Sequence, residues 1–345
     1  MMLAATYTQG GAFAVREVPR PALGDGELLL RVTAAAICGT DIKIVKNGHR
    51  KLKGGQTIVL GHEFVGVIEE LGARVTGFRK GQRVGVAPNA GCGRCPACRR
   101  GQSNYCPDYT AFGIDRDGAH APWVNIPEVF LEQGNVMALP ESVTDAAAVL
   151  LEPLSCVVAG QRAVRVAQGD TALVFGAGPM GLLHVMLARE SGAAAVVMFD
   201  PMASRLAFAA QLGAHRTAST LEELDRILAE TAPGGVDVAI TAAPVAEALG
   251  LALERLAPFG RLCAFAGLPA GAPRVALDVN RIHYKNLTLT GTTGGSVDDY
   301  RAALQLAAAG RLDLERIVVA RFGFGQLPEA YEAAQRGLAG KVMLR

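Results

Sequence analysis

Residues 171–181 read TALVFGAGPMG, an apolar run that ends in three glycines at a fixed spacing. Gly176, Gly178 and Gly181 match the pattern G-x-G-x-x-G, which between a strand and a helix is typical of dinucleotide-binding domains. The first glycine permits a tight turn, the second lets the backbone approach a pyrophosphate, and the third allows the helix to pack closely on the strand. Free N–H groups at the helix N-terminus then attract the phosphates.

The residues around this turn support the same interpretation. A second apolar run ends at Asp200, nineteen positions beyond Gly181, where a carboxylate can accept hydrogen bonds from the ribose of NAD and would repel the extra phosphate of NADP. Arg205 argues for NADP, but its helical position favours a solvated side chain. Another adenosyl ligand is the alternative, and the sequence favours NAD. The candidate cofactor residues are Gly176, Gly178, Pro179, Met180, Gly181, Asp200 and Arg205.

Strand-like and helical stretches alternate after about Thr144, which indicates βαβ units and a parallel sheet. The strands are predicted at 172–175, 195–199, 236–240, 261–266 and 287–290, and the helices at 180–191, 204–212, 221–232 and 298–309. The chain before about Pro140 is rich in Gly and Pro. Its short β-prone runs at 27–33, 64–69 and 83–87 predict a strand-rich, irregular domain.

Composition and charge exclude several classes of partner. The 345 residues, half of them apolar, are enough for two domains with closed cores. Lys and Arg number 34 against 32 Asp and Glu, and the pair Arg99 and Arg100 is too short for a basic patch, so neither nucleic acid nor a membrane surface is expected as a partner. A secretory signal and an apolar run of the roughly 18–20 residues that a membrane span needs are both lacking, which predicts a cytoplasmic protein.

Four of the seven cysteines fall within fifteen positions, in a lobe at about residues 91–107. Cys92, Cys95, Cys98 and Cys106 have the spacing C-x2-C-x2-C-x7-C, which suits a metal better than disulfides in a reducing compartment. Four thiolates can close a tetrahedral structural zinc site, and the metal would hold together a lobe with little apolar content. An iron–sulfur cluster is the competing interpretation, and zinc is favoured.

A second, more dispersed set of side chains can form a different metal site. Cys38 lies in AAICGTD, His62 and Glu63 lie in LGHEFVG, and Glu152 lies in LLEPLSC. One sulfur, one imidazole and one or two carboxylates leave zinc an open position for substrate or water, as catalysis requires. Spacing alone does not select these four, because a lone Cys or His beside glycines is more often structural.

The motifs together resemble those of the zinc-dependent medium-chain alcohol dehydrogenases, particularly the branch of sorbitol, threonine and related polyol dehydrogenases. The similarity covers nearly the whole chain, in AAICGTD, LGHEFVGVIEELG, GFRKGQRV, GCGRCPACRRGQSNYC, GIDRDGAHAPWVNIP, LPESV, LLEPLSC and VFGAGPMG. The resemblance implies an α/β protein with a GroES-like catalytic domain at 1–152 and 293–345 and a Rossmann domain, a doubly wound parallel sheet that binds NAD, at 153–292. It also implies two zinc ions per chain, one catalytic and one structural.

The resemblance assigns roles to the dispersed residues. Cys38 and His62 match the ligands of the catalytic zinc. Glu63 and Glu152 match two acidic positions around the metal, and which of them touches it stays open. Ordinary alcohol dehydrogenases have a third Cys at the position of Glu152, so a Glu there resembles the polyol and threonine branch.

Other positions match the proton relay. Thr40 matches the hydroxyl residue that relays the proton of the substrate alcohol, and Asp41 matches an acid that orients a zinc-bound imidazole. Many relatives have His where this chain has Lys43, which is interpreted as an exposed loop cation, so water or His49 would take over the outer relay. The other histidines lack ligand spacing and are interpreted as structural or exposed: His120, His184, His215 and His283.

The implied reaction moves a hydride between NAD and a secondary alcohol of a polyol, sugar or cyclitol, with zinc as the Lewis acid. L-Threonine 3-dehydrogenase activity on a hydroxy amino acid is the alternative. A non-enzymatic module that binds zinc and a dinucleotide is more remote, and a zinc-free quinone reductase would lack Cys38, His62 and the cysteine lobe. A homo-oligomer, dimer or tetramer, is expected, with the strand at 287–290 as a candidate for pairing between subunits. The loop after His49 and residues 112–120 are expected to contribute to the substrate pocket, with cover of the domain surface as the alternative for either stretch.

Overall fold

The computed structural model describes residues 1–268 and 274–345, which form two compact units. The first unit comprises Met1–Ser155 and Gly295–Arg345, and the second comprises Cys156–Gly294. The range 153–292 expected for the dinucleotide-binding domain includes residues 269–273, which lie outside the described residues. In the described ranges, no helix is both long and apolar enough to cross a membrane.

Strands outnumber helices in the described part of the chain. The strands are β1 (Met2–Thr8), β2 (Phe13–Val18), β3 (Leu28–Ile37), β4 (Thr57–Val59), β5 (Glu63–Leu71), β6 (Arg83–Val86), β7 (Asn89–Ala90), β8 (Thr110–Ala111), β9 (Trp123–Ile126), β10 (Val136–Ala138), β11 (Thr171–Phe175), β12 (Ala195–Phe199), β13 (Arg216–Ala218), β14 (Val236–Thr241), β15 (Leu256–Ala264), β16 (Thr288–Gly291), β17 (Val318–Phe322) and β18 (Lys341–Leu344). The α-helices are α1 (Gly39–Asn47), α2 (Pro96–Arg99), α3 (Glu128–Glu132), α4 (Asp145–Ala148), α5 (Leu151–Ala163), α6 (Pro179–Glu190), α7 (Ala203–Gln211), α8 (Leu221–Thr231), α9 (Glu247–Glu254), α10 (Val279–Lys285), α11 (Val297–Ala308) and α12 (Leu327–Gln335).

The first unit is built on sheets, as its Gly- and Pro-rich sequence predicts. One sheet has the order β2-β1-β4, and a larger one has the order β10-β6-β5-β3-β18-β17, with β9 also paired to β3. β7 and β8 form a separate two-stranded pair. All these pairs are antiparallel except β17 with β18. The strands predicted at 27–33, 64–69 and 83–87 are confirmed as β3, β5 and β6.

The core of the first unit includes part of the stretch expected to line a pocket. Phe112 is 1 % exposed, and its ring lies 5.2 Å from that of Phe64 and 4.5 Å from that of Phe130, measured between centroids. Ala119 and His120 are fully buried. The expectation that residues 112–120 contribute to a pocket wall is therefore wrong for these three positions. Phe112 packs in the aromatic core, and Ala119 and His120 are enclosed by other residues.

The second unit contains the parallel sheet that the alternating pattern predicts. Its order is β13-β12-β11-β14-β15-β16, and each neighbouring pair is parallel. Most apolar residues on β11, β12 and β14 are buried, as expected for strands covered on both faces. β15 begins at Leu256, five residues before the predicted start at Arg261. Phe259, which is exposed and has a φ of 65°, interrupts the apolar pattern, but Leu256 still pairs with Val236.

Candidate active site

The ends of two paired strands bring three candidate metal ligands together. β3 and β5 are antiparallel neighbours, with Ala36 opposite Glu63. Cys38 follows β3 and is the N-cap residue of α1, while His62 directly precedes β5. As a result, one ligand atom from each of Cys38, His62 and Glu63 lies within 4.8 Å of the others.

One buried atom of this group points to a bound cation. Glu63 is fully buried and His62 is 8 % exposed. Within the described residues, Glu63 Oε2 has no hydrogen-bond partner. A buried polar atom without a partner costs about 1–3 kcal/mol, and a cation at the site would offset that cost. A thiolate, an imidazole and a carboxylate are ligands that zinc accepts, and three protein ligands leave a fourth position open.

The local charge also favours a cation. Burial alone would lower the pKa of His62, but the negative charges of Cys38 and Asp41 raise it well above its ordinary value. The imidazole therefore holds a proton tightly when no metal competes for it. The residues present fit a divalent metal ion, which would replace that proton.

Asp41 ties the segments of two candidate ligands to each other. Its Oδ2 accepts the Cys38 N–H at 2.8 Å, and its Oδ1 accepts the Gly61 N–H at 3.2 Å. Oδ1 also lies 3.7 Å from His62 Nδ1. Burial alone would raise the pKa of Asp41, but the charge of His62 above all lowers it to about 2. This anion is placed to orient the imidazole, as such outer carboxylates do.

Sequence reasoning missed Lys341, which forms a buried ion pair with Glu63. Lys341 begins β18, and β18 pairs with β3 so that Val342 lies opposite Ile37. Lys341 Nζ donates a hydrogen bond to Glu63 Oε1, and its side chain is 4 % exposed. Burial would lower the pKa of Lys341, but the charges of Glu63 and Cys38 raise it. The ammonium group is therefore the hydrogen-bond partner of one oxygen of Glu63. In the sequence, the only signal for this role was a lysine at the start of an apolar run.

Glu152, the other acidic candidate, does not join this group among the described residues. It lies in the first turn of α5 and is 9 % exposed. Burial and, after it, the charge of Glu152 raise the pKa of Tyr300, and the same charge contributes to the raised pKa of Lys341. Glu152 therefore acts on the surroundings of the site, and Glu63 is the carboxylate that lies beside Cys38 and His62.

α1 carries the candidate relay residue. Thr40 is the second residue of α1 and is half-buried, and Lys43 follows one turn later and is exposed. The exposure of Lys43 agrees with the expectation, but its assignment to a loop is wrong. The helix forms there because Asp41 completes a capping box with the N-cap residue Cys38.

His120 also has a defined place near the site, which its spacing did not reveal. Its Nδ1 lies 2.7 Å from the hydroxyl of Tyr331, and its Nε2 lies 3.2 Å from the carbonyl oxygen of Ala36. A carbonyl only accepts, so Nε2 carries the proton and Tyr331 donates to Nδ1. Burial lowers the pKa of His120, in agreement with a neutral ring. A Cβ on Gly61 would lie 2.3 Å from this ring, so His120 contacts the segments that lead into two candidate ligands.

The four clustered cysteines converge in the lobe at residues 91–107. Their sulfur atoms all lie within 4.8 Å of one another. The pair of β7 and β8 closes the lobe, and Cys106 Sγ accepts the Cys92 N–H at 3.3 Å. Cys95 is the N-cap residue of α2, and its Sγ accepts the Cys98 N–H at 3.4 Å. No disulfide joins any of the seven cysteines.

The thiol pKa values show why this lobe needs a cation. Backbone N–H groups of Arg94 and Cys95 lower the pKa of Cys92 to about 6, whereas burial raises the pKa of Cys98 to about 12. Because like charges at such distances oppose one another, the four sulfurs cannot all be thiolates without a positive ion among them. Zinc bound by four thiolates meets this requirement.

In the second unit, β11 leads into the glycine turn and α6 leads out of it. Gly176 has a φ of 102°, a backbone angle that residues with a side chain rarely adopt. A Cβ on Gly181 would lie 1.8 Å from the carbonyl oxygen of Gly176, whereas a Cβ on Gly178 would meet nothing within 4 Å. Gly178 is the N-cap residue of α6 and makes no side-chain cap, and Pro179 and Met180 begin the helix. The open space at Gly178 and the uncapped helix end fit a pyrophosphate.

Asp200 follows β12 and is tied to this turn. Its Oδ2 accepts the Ala177 N–H at 2.7 Å, and its Oδ1 accepts the Met202 N–H at 2.8 Å. Arg205 Nη1 lies 3.8 Å from Asp200 Oδ2, and the arginine side chain is 25 % exposed. The expectation of a solvated Arg205 is therefore wrong. α7 begins at Ala203, which brings its third residue close to the carboxylate.

Two family models match the chain. Residues 24–141 match the alcohol dehydrogenase GroES-like domain, and residues 179–309 match the zinc-binding dehydrogenase model. The L-threonine 3-dehydrogenase of Pyrococcus horikoshii is 34% identical over 333 residues, which cover 95% of this chain and 92% of the relative.

Solved structures of similar proteins cover the chain from end to end. A Sinorhizobium meliloti 1021 protein whose structure was determined bound to NADP is 30% identical, with a TM-score of 0.89 over 100% of this chain and 99% of its own. Galactitol-1-phosphate dehydrogenase from Escherichia coli is 25% identical, with a TM-score of 0.86 over 99% of each chain.

Proposed function

The chain belongs to the zinc-dependent medium-chain alcohol dehydrogenases and is a zinc-dependent, NAD-linked oxidoreductase, and we propose that it transfers a hydride between NAD and a secondary alcohol of a polyol, sugar or cyclitol. The observation that carries this proposal is the group of Cys38, His62 and Glu63, in which the buried Glu63 Oε2 has no hydrogen-bond partner within the described residues. A metal held there with an open position activates a hydroxyl group. The glycine turn after β11 supports the dinucleotide as the hydride carrier.

Oxidation of L-threonine at its secondary alcohol is the second candidate. It is favoured by the 34% identity to an L-threonine 3-dehydrogenase over nearly the full length of both chains. Both candidates use the same reaction at a carbinol carbon. The contacts to the rest of the substrate distinguish them, and a rate measurement with both classes decides.

The residues of the site have separate roles in this reaction. Zinc, when bound, lowers the pKa of the substrate hydroxyl, and NAD, when bound, accepts the hydride. Cys38, His62 and Glu63 hold the metal, and Asp41 orients the imidazole of His62. Thr40 accepts the hydroxyl proton while its own hydroxyl proton passes outward, a role supported by its place in the first turn of the helix that starts after Cys38.

The proton then leaves to solvent. A lysine ammonium offers donors and no acceptor, so Lys43 does not replace a histidine as the next relay group. Lys43 is exposed, and the half-buried Thr40 lies within one helical turn of it. We therefore assign the outer step of the relay to water at this exposed face of α1.

NAD is the proposed cofactor because Asp200 would repel the extra phosphate of NADP. Arg205, 3.8 Å from this carboxylate, offsets part of its charge, and a relative of 30% identity binds NADP. Comparison of kcat/KM for the two cofactors tests the choice. A larger value with NADP than with NAD would contradict it.

We also propose the domain roles and the assembly. Residues 1–152 and 293–345 form the catalytic domain and residues 153–292 the NAD-binding domain, supported by the compact units of the chain. A homo-oligomer is supported by β16, which pairs with β15 alone among the described strands and carries the partly exposed Leu289. Light scattering after size-exclusion chromatography tests this, and a mass equal to the single chain of 36.0 kDa would contradict it.

The deciding experiment is the initial rate of NADH formation by the zinc-loaded enzyme. The panel contains sorbitol, xylitol, inositols, sugars, L-threonine and simple alcohols. A rate on polyols that is lost in Cys38→Ser and kept in the matched control Cys156→Ser is the expected result. A rate on L-threonine alone would establish the second candidate. The absence of any rate with zinc and NAD both bound would refute both candidates.

A further inference from the structure

Positive charge is concentrated in the sequence KIVKNGHRKLK, residues 43–53. Its cations are Lys43, Lys46, Arg50, Lys51 and Lys53, and no Asp or Glu occurs between Asp41 and Glu63. Five cations without an acid give this segment +5, against +2 for the entire chain. The net charge of the whole sequence is close to zero and therefore does not reveal this basic segment, which follows the candidate ligand Cys38 in the chain.

The segment begins on the same helix as the relay residue. α1 starts after Cys38 and includes Thr40, Lys43 and Lys46. Residues three apart lie on one face of a helix, about 4.5 Å apart along its axis. Thr40 and Lys43 are such a pair, so a substrate whose hydroxyl meets Thr40 has Lys43 within one turn. This spacing is comparable to a few carbon–carbon bonds in a small substrate.

Most of these charges have no counter-ion in the described part of the chain. Lys43, Lys46, Arg50 and Lys53 are exposed, and none of them forms an ion pair within the described residues. Lys51 differs, because its Nζ lies 3.5 Å from Asp115 and 3.2 Å from the centroid of the Tyr109 ring. Four like charges within eleven positions of the chain repel one another, and an anion bound among them would reduce that repulsion.

The backbone of the segment is held in place. Gly48 ends α1 with a φ of 69°, and its N–H donates to the carbonyl of Ile44 at 2.8 Å. The His49 N–H donates to Gln9 Oε1 at 3.1 Å, and Leu52 is buried in the core at 6 % exposure. The cations after α1 are therefore presented from an anchored turn, which lowers the entropy lost on binding a ligand.

The surroundings of His49 carry the same positive charge. Its ring is partly buried, and burial, followed by the charges of Arg50 and Lys51, lowers the pKa of His49. Asp115 opposes this effect but does not cancel it. The potential at the turn is therefore positive, and it favours an anion near the end of α1.

We propose that the substrate of this enzyme carries a carboxylate or a phosphate ester, and that Lys43, together with Lys46 and Arg50, binds this group while the reacting hydroxyl lies at Thr40. Lysine and arginine bind such anions through charge-assisted hydrogen bonds. The inference rests on the proposed function, since it places the hydroxyl at the same metal group. Among substrates with a secondary alcohol it selects sugar acids, polyol phosphates and hydroxy acids over neutral polyols.

Isothermal titration calorimetry on the zinc-loaded enzyme with NADH tests this inference with matched pairs of compounds. Galactitol is compared with galactitol 1-phosphate, and sorbitol with gluconate, so that the two arms separate phosphate from carboxylate. We expect the charged member of at least one pair to bind about tenfold more tightly or better. Because exposed charges are screened by salt, this advantage should shrink in 0.5 M NaCl, on the order of a threefold or larger loss.

Variants of the segment identify the residues responsible. Lys43→Gln and the double variant Lys43→Gln/Arg50→Gln should bring the affinity ratio of charged to neutral compound toward one. Arg100→Gln removes an exposed cation of the cysteine lobe and serves as the matched control, with an unchanged ratio. Equal affinity for both members of every pair, or the same ratio in wild type and Lys43→Gln, would overturn the inference.

The outcome is independent of the test of the proposed function. Oxidation of neutral polyols without preference for charged ones would leave the dehydrogenase activity intact and refute the anion site. Tight, Lys43-dependent binding of a charged compound without any NADH formation would support the anion site and refute the proposed function.

Discussion

Glu63 and Lys341 form a buried ion pair although 278 positions separate them in the chain. The pair exists because β3 lies between β5 and β18 in one sheet, and this brings together the first residues of the two strands that flank β3. Lys341 binds Oε1 of the carboxylate, and Oε2 has no partner within the described ranges. In the proposed zinc site, the lysine thus limits how Glu63 can turn and leaves one oxygen for the metal.

We expect Lys341→Met to lower the free energy of unfolding by about 3–5 kcal/mol, because it removes the hydrogen-bonded partner of the buried Glu63 carboxylate. Urea denaturation of the metal-free protein, followed by the fluorescence of Trp123, measures the loss. Trp123 is the single tryptophan of the chain and lies on β9 in the same sheet. The double variant Lys341→Met/Glu63→Gln removes both charges and should recover much of the stability. Equal losses in the single and double variants would show that the ion pair is not the cause.

The contact between His120 and Tyr331 should appear as an energetic coupling. Tyr331→Phe removes the hydroxyl that donates to His120 Nδ1 and leaves a buried acceptor unsatisfied, at a cost of about 1–3 kcal/mol. His120→Leu removes the acceptor, so the double variant should lose less than the sum of the two single variants. The same Trp123 fluorescence measures all three, and additive losses would contradict the assigned hydrogen bond.

Loss of one lobe cysteine should remove one metal ion and leave the other. We expect Cys98→Ser to lower the zinc content from two ions to about one per chain, because three thiolates bind zinc less tightly than four. Metal analysis by mass spectrometry measures the content, and limited proteolysis detects the loosened lobe at residues 91–107. Cys156→Ser lies outside both cysteine-containing groups and should keep two ions. Iron with a visible absorption band in the wild type would favour the iron–sulfur alternative.

His184 should make the second unit sensitive to acid. Burial lowers its pKa from the ordinary 6.5 to about 3 in the folded protein. Between these values the unfolded chain binds a proton that the folded protein excludes, so stability falls as the pH drops from 6.5 toward 3. Two pH units in this window correspond to about 3 kcal/mol.

The variant His184→Leu should reduce this loss, and scanning calorimetry at pH 6.5 and pH 4.5 measures the difference. Gln161 Nε2 keeps its bond of 2.7 Å to the His184 carbonyl oxygen, because that acceptor belongs to the backbone. The exposed His283, changed to Leu, is the control and should lose as much stability between the two pH values as the wild type. An equal loss in His184→Leu would exclude His184 as the acid-sensitive group.

The turn at Gly176 and the cysteine lobe were predictable because each is made by residues close in the chain. The tight turn, with a φ of 102° at Gly176, is made by consecutive residues of the glycine motif. Cys92 and Cys106 come together because the loop between them is short. The alternating apolar runs of the second half likewise predicted a parallel sheet, since burial on both faces needs no distant information. The start of β15 was placed too late, because pairing with β14 overrides an exposed Phe259.

The sequence by itself determined the fold class, the family and the chemical types of the candidate ligands. Only the tertiary structure decided that Lys341 pairs with Glu63, that His120 contacts Tyr331, and that the basic segment starts on the helix of Thr40. Those contacts depend on which strands are neighbours and in what register, and a sheet joins residues from any part of a chain. The spacing of residues along the chain does not indicate which strands will be neighbours. Burial gives each of these contacts its energy, and the residues are buried only once the sheets have formed.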